Sequence, residues 1–294
     1  MADIEKYKAD INNYSLNNCR HGNQGYGRVL LQVFGLPGNG KSSFINSCKF
    51  ALEGVFNEHA EAKKKQGGCT TRRVPYKLTD TIMMVDNRGC PTLNKYETGQ
   101  IFAQLANLLP INDEVEWCED YKKNLDRILE EDKKQNYSDF IVPIFVHSVN
   151  NRIPSQERDT YKLILKNARK ITGINPIVVL THKSYGGLIE TRNTFEDMDS
   201  NKIYAIENYT IEDHQQVLGK HREILSFLSQ ILNEVNFGME QKRDPKSERN
   251  DRMKFILGYL KDIDDEKNRE AIREREEEIE NLQKEKEKRS CPIL

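Results

Sequence analysis

The run Gly35-Leu36-Pro37-Gly38-Asn39-Gly40-Lys41-Ser42 fits the phosphate-binding pattern G-x-x-x-x-G-K-[ST] at every fixed position. Its glycines let consecutive backbone N–H groups turn inward around an anion. A helix start just behind them adds its positive dipole end. A lysine at position 41 reaches the outer phosphates, and the Ser42 hydroxyl ligates Mg²⁺. Gly35, Pro37, Gly38, Asn39, Gly40, Lys41, Ser42 and Ser43 are therefore the candidate phosphate-binding set.

A second group follows at Asp86-Asn87-Arg88-Gly89, a D-x-x-G arrangement placed at the end of an apolar run. Asp86 is expected to hold the Mg²⁺ shell through water, and the Gly89 N–H to bond the γ-phosphate. In phosphate-loop switches a threonine senses that phosphate through its hydroxyl and the metal. Thr70 and Thr71 are both candidates here, and either is equally readable as an exposed threonine opening a strand. Cys90 stands where many small GTPases carry a water-orienting glutamine. A thiol cannot orient water in that way, so hydrolysis is expected to be slow.

These groups need strands and helices to hold them. Arg28–Phe34 reads as a short buried strand, and Ser43–Leu52 as a helix with Phe44, Cys48, Ala51 and Val55 near helical spacing. Thr79–Val85, Phe140–Val146, Pro176–Leu180 and Lys202–Ile206 read as further strands. Pro143 weakens the central-strand reading of its run. Helices are expected over Glu97–Leu109, over Glu114–Lys134, over Asp159–Lys170 and in the apolar stripe from Val217 to Val235. Thr210 and Asp213 are expected to cap that last helix. Strands alternating with helices predict an α/β fold: a P-loop, GTPase-like three-layer domain with a mainly parallel sheet. The candidate residues then gather at the C-terminal strand ends, where open α/β sheets bind ligands.

The base site is read from the strand ends at Thr181-His182-Lys183-Ser184 and Glu207-Asn208-Tyr209. Guanine-specific folds carry N/T-K-x-D at the first of these, and the aspartate accepts both guanine N1–H and the 2-amino group. Here Thr181 fits, His182 replaces the lysine and Ser184 stands in place of the aspartate. Thr181, His182 and Asn208 are the candidate base-side residues. The neutral Ser184 leaves an adenine nucleotide open as the alternative to a guanine one. His147, at the end of its strand, is read as structural rather than ligand-binding.

The chain divides into a polar lead-in (1–27), the P-loop domain (28–238) and a charged helical tail (239–294). The 294 residues carry a formal net charge of -1, which gives no ground for expecting nucleic acid. Six scattered cysteines without C-x-x-C pairs argue against zinc and a disulfide framework. With a polar N-terminus and no long apolar run, the expected setting is cytoplasmic and reducing. In the tail, Ile272, Ile279 and Leu282 hint at the heptad spacing of a coiled coil. The run is short, and a solvated, partly frayed helix is the preferred reading. The chain closes with Cys291-Pro292-Ile293-Leu294, which fits C-a-a-X and makes Cys291 a candidate for prenylation and peripheral membrane attachment. Residues 91–138 and the tail are the candidate surfaces for self-association or a protein partner.

The phosphate loop extended through Ser43-Phe44-Ile45-Asn46-Ser47 resembles that of the interferon-induced protein 44 family. Thr181-His182 and Glu207-Asn208-Tyr209 are similar to that family and to the immunity-associated GTPases. The likeness spans about Val29 to Val235. It implies a GTPase-like fold, binding of a guanine nucleotide (GTP or GDP), and an interferon-linked or innate immune setting.

Overall fold

The computed structural model describes residues 2–60, 71–90, 92–115, 117–133 and 138–290. Among the described residues six strands form one sheet: β1 (Arg28–Phe34), β2 (Val74–Lys77), β3 (Ile82–Asp86), β4 (Asp139–Ser148), β5 (Ile177–Thr181) and β6 (Ile203–Ala205). Their order is β2-β3-β1-β4-β5-β6, and only β2, at one edge, runs antiparallel to its neighbour. This is the three-layer, GTPase-like P-loop arrangement expected from the sequence. Alternation along the strands feeds two cores. Val29, Leu31 and Val33 of β1 join one, together with Phe140, Val142 and Ile144 of β4. Phe34, Phe145, Val178 and Leu180 join the other. Pro143 lies inside β4, opposite Gln32 of β1, and is buried, so burial on both faces overrides the local weakness of proline in a strand.

On the first face lie α1 (Ala2–Asn12), α2 (Lys41–Glu53) and α7 (Leu218–Gly238). Ile4 and Ile11, seven residues apart, share one face of α1 and are buried with Leu16 and Tyr26. The polar lead-in is thus packed against the domain. α2 ends where Gly54 takes a left-handed conformation and bonds back to the Phe50 carbonyl. Val55 therefore stands beyond the helix and is exposed, not part of its apolar stripe. α7 begins at Leu218, capped by no side chain. Thr210 and Asp213 instead close a separate turn, with the Asp213 N–H donating to Thr210 Oγ1 at 3.1 Å.

On the second face lie α3 (Lys95–Leu105), α4 (Tyr121–Lys133), α5 (Arg158–Thr172), α6 (Leu188–Asp197) and the start of α8 (Pro245–Ser290). α4 is shorter than the charged stretch suggested. α6 carries few buried residues, chiefly Thr194 and Phe195, too weak a stripe to read from sequence. α8 is 46 residues of unbroken helix. Its first third is built into the core through Arg252, Ile256, Leu260 and Ile263, spaced to share one face. From Lys267 to Lys286 every residue is exposed. No helix of the described residues is long and apolar enough to cross a membrane.

The two parts of α8 should answer differently to truncation of a side chain. Ile256→Ala removes a fully buried side chain and is expected to lower stability by about 2–4 kcal/mol in urea unfolding. Ile272→Ala, on the exposed part, should stay within about 0.5 kcal/mol.

Candidate functional site

The loop between β1 and α2 is shaped by backbone conformations that suit glycine. Gly35, Gly38 and Gly40 have φ of 145°, 76° and 82°. Gly35 is also pressed against β4, where a β-carbon would stand 2.3 Å from the Val146 carbonyl oxygen. Lys41, the first residue of α2, is buried. Its ammonium donates to the carbonyls of Gly35 (3.1 Å) and Leu36 (3.2 Å), so it arches across the loop it belongs to. Gly89 comes against the same ammonium, with room for a β-carbon only 3.2 Å away. The D-x-x-G turn and the loop lysine thus converge.

Ser42 and Asp86 also meet. The Ser42 hydroxyl donates to Asp86 Oδ2 at 2.7 Å. Asp86 Oδ1 is buried and has no hydrogen-bond partner among the described residues. Burial raises the pKa of this carboxyl, against the opposing pull of the Lys41 charge and the Ser42 hydrogen bond. A desolvated carboxylate with one bare oxygen beside a serine hydroxyl is a donor set that suits a hard divalent cation. Among the described residues no group of three or more His, Cys, Asp or Glu offers a metal site of its own, so a cation here would depend on oxygens from a ligand and water as well.

Asp86 is placed by its neighbours. It pairs in register with Val33 of β1. Next to it, the Asn87 amide donates to Gln32 Oε1 (2.9 Å) and to the Val33 carbonyl (3.0 Å). Asn87 Oδ1 in turn accepts from the guanidinium of Arg73 (3.0 Å). Arg73 is fully buried, and burial pulls its pKa down to about 9. It also donates to Asn107 Oδ1 (3.0 Å) and to the Gln104 carbonyl (3.2 Å). This one side chain ties the lead into β2, the D-x-x-G turn and the end of α3 together. No sequence signal marks it.

The back of the loop is held by three strand tips. Asn39 Oδ1 accepts from the Asn151 amide (2.6 Å) and the Ser148 N–H (3.2 Å). Thr181 Oγ1 donates to the Asn39 carbonyl at 2.8 Å, and the Asn208 amide donates to the Gly40 carbonyl at 3.1 Å. His182 adopts φ 57° and brings Nδ1 within 3.0 Å of the Ser148 and Thr181 hydroxyls. Thr181 and Asn208 therefore brace the phosphate loop directly. Ser148 and Asn151 do part of the same work and were not singled out from sequence.

Farther along these tips, the Ser184 N–H and hydroxyl both donate to Glu207 Oε2, at 3.0 and 2.7 Å. Sequence reading gave Glu207 no role of its own. The sequence signal for it is its place in Glu207-Asn208-Tyr209, at the strand end from which the base site is read.

The remaining candidates lie as follows. Pro37 and Ser43 are half-buried at either end of the loop. Thr71 is exposed, and its carbonyl accepts from the Val115 N–H at 2.9 Å. Among the described residues no hydrogen bond joins Thr71 to the loop. Thr70 and Cys291 lie outside the described residues. Cys90 is buried with its thiol directed to α3, against the Glu97 carbonyl (3.5 Å) and Gln100 Oε1 (3.4 Å), and burial pushes its pKa up. His147 is buried, with Nε2 2.8 Å from the Asn151 carbonyl.

No protein-family model matches the chain, and no curated protein matches it. Among solved structures, two of Toc33 from Arabidopsis thaliana are similar. One, in complex with Mg²⁺ and GMPPNP, is 14% identical with a TM-score of 0.42. The other, in complex with GDP and Mg²⁺, is 13% identical with a TM-score of 0.41. Each match covers 82% of this chain and 93% of that chain.

Burial lowers the His147 pKa from 6.5 to about 4. Between those values the unfolded chain binds a proton that the folded chain does not. The contribution of His147 to stability is therefore fully present above pH 6.5 and is lost as pH falls toward 4. Urea midpoints at pH 7 and pH 4.5 check this. The unaltered chain should lose about 2 kcal/mol more over that interval than His147→Gln, which does not titrate there.

Proposed function

We propose that this chain is a Mg²⁺-dependent guanine-nucleotide-binding protein that hydrolyses GTP slowly. The observation that carries the reading is the meeting of Lys41, Ser42, Asp86 and Gly89 at the mouth of one loop. Asp86 contributes a buried oxygen that lacks a partner among the described residues. In this reading Ser42 and Asp86 are the residues that would hold Mg²⁺, and the ion would supply neutralisation of the phosphate charge. The Lys41 ammonium exchanges its bonds to the Gly35 and Leu36 carbonyls for bonds to phosphate oxygens. Backbone N–H groups from Gly38 to Ser43 complete the cradle at the start of α2. Thr70 or Thr71 serves as the switch threonine, and the Gly89 N–H meets the γ-phosphate. Thr181, His182 and Asn208 keep the loop in the shape that accepts the ligand.

The thiol of Cys90 favours a second reading of the same site. It faces α3 and holds no water-orienting group toward a phosphate. In that reading the chain binds nucleotide without turnover and acts as an interaction module, associating with itself or a protein partner through 91–138 or the tail. The interferon-linked or innate immune setting implied by the family resemblance belongs to this proposal. So does cytoplasmic residence, with peripheral membrane attachment through Cys291.

Three measurements test this reading. Lys41→Ala should weaken binding of labelled GTP in Mg²⁺ by about 10- to 100-fold, the scale of one lost charge-assisted bond to phosphate. Unchanged binding would sink the site assignment. Steady-state phosphate release then separates slow hydrolysis from no turnover. For the lipid, Cys291→Ser should move the protein from the membrane pellet to the supernatant, and equal pelleting of both forms would remove the anchor.

A further inference from the structure

We infer that Glu207 supplies the carboxylate that reads guanine, taking over from the second strand tip the role that Ser184 cannot fill from the first. This rests on the proposed nucleotide site and adds its base specificity. Guanine presents two donors on one edge, N1–H and the 2-amino group. Adenine presents an acceptor at N1 and has no 2-amino group. A carboxylate accepts from both guanine donors at once, and a serine hydroxyl offers a single neutral acceptor.

The structure brings a carboxylate to the serine. Ser184 stands one turn beyond β5, where the aspartate of N/T-K-x-D belongs. Its N–H and its hydroxyl both donate to Glu207 Oε2, at 3.0 and 2.7 Å. Two donors on one oxygen fix the direction of the carboxylate and leave the Oε1 lone pairs for other donors. Ser184 thus acts as a positioning residue for the acid.

The backbone under Glu207 is fixed on both sides. Ile206 is fully buried, and its N–H donates to the Leu180 carbonyl at 2.8 Å. Asn208 reaches the Gly40 carbonyl of the phosphate loop at 3.1 Å. Glu207 therefore stands between a strand anchored in the core and a side chain that touches the loop. Its carboxylate also lacks the partner that an ordinary surface acid acquires. The neighbouring ammonium of Lys183 is bound by both oxygens of Glu223, at 2.5 and 2.6 Å. Among the described residues Glu207 has no ion-pair partner. An acid oriented by two hydrogen bonds, left without a cation and seated beside the loop is suited to a ligand with paired donors. A Ser–Glu contact of purely structural use would predict no dependence on the base.

The test uses the full chain with Mg²⁺ and measures binding of GTP, ATP and xanthosine triphosphate. Xanthine carries a carbonyl where guanine has its 2-amino group, so it needs a donor there. The unaltered chain should prefer GTP over both others. Glu207→Gln keeps the size of the side chain and replaces one acceptor with an amide donor. It should lose about 10- to 100-fold in GTP affinity and gain xanthosine triphosphate affinity by a similar factor. A gain of this kind cannot come from partial unfolding. If Glu207→Gln retains the GTP preference over both competitors, the assignment of Glu207 is overturned while nucleotide binding stands. If the unaltered chain binds none of the three, or if Lys41→Ala binds as the unaltered chain does, the nucleotide site and this inference fall together.

Discussion

Where the chain leaves β1 it passes so close to the Val146 carbonyl that no residue larger than glycine fits at position 35. That contact binds the phosphate loop to the end of β4, and β1 lies between β3 and β4 in the sheet. Asp86 on one side and Ser148 on the other are therefore brought to the loop by strand pairing, with no need for long side chains to reach. Pairing of Val33 with Asp86 and of Ser148 with Thr181 sets the register. A slip by one residue would turn Asp86 to the opposite face of the sheet. The chemistry at the loop is thus a consequence of sheet order.

The loop is also held from behind by polar groups with few alternatives. Thr181, Asn208, Asn151 and the Ser148 N–H all bond to Asn39 or Gly40. Such a network is worth little net energy per bond, but each buried partner removed leaves another unsatisfied at a cost of about 1–3 kcal/mol. Rigidity of the loop therefore depends on the tips of β4, β5 and β6 together. On the other side, the buried guanidinium of Arg73 fastens the turn after Asp86 to α3. Through Asn107, whose carbonyl accepts from Arg249 at 3.0 Å, this network continues to α8.

The parts of this architecture that were legible in the sequence are local ones. The glycine loop, Lys41, Ser42 and the D-x-x-G turn are contiguous patterns, and the apolar strands announce themselves by their side chains. The seating of α1 and α8 was not legible, because two isoleucines seven apart, or a few buried residues spread along a charged helix, are diluted by their polar neighbours. The contact between Ser184 and Glu207 was hidden for another reason. It joins residues 23 apart in sequence, and exists only because β5 and β6 are adjacent. Likewise Arg73 reads as one more surface cation until the fold buries it. Val55 shows the opposite failure: its spacing fits a helical stripe, but the left-handed Gly54 has already ended the helix.

The free part of α8 has a mechanical consequence. Lys267 still reaches Glu119 and the Tyr96 ring, and from Asn268 to Ser290 the helix extends about 35 Å at 1.5 Å per residue. Contacts such as that of Lys284 with Glu280, at 2.5 Å, stiffen it along its own surface. It therefore works as a strut. Electric fields in physiological salt decay over about 8 Å, so the far end of this strut lies roughly four screening lengths from the domain. Whatever is engaged there is shielded from the charges around the loop, and the two ends of the molecule can meet surfaces of quite different charge without disturbing one another.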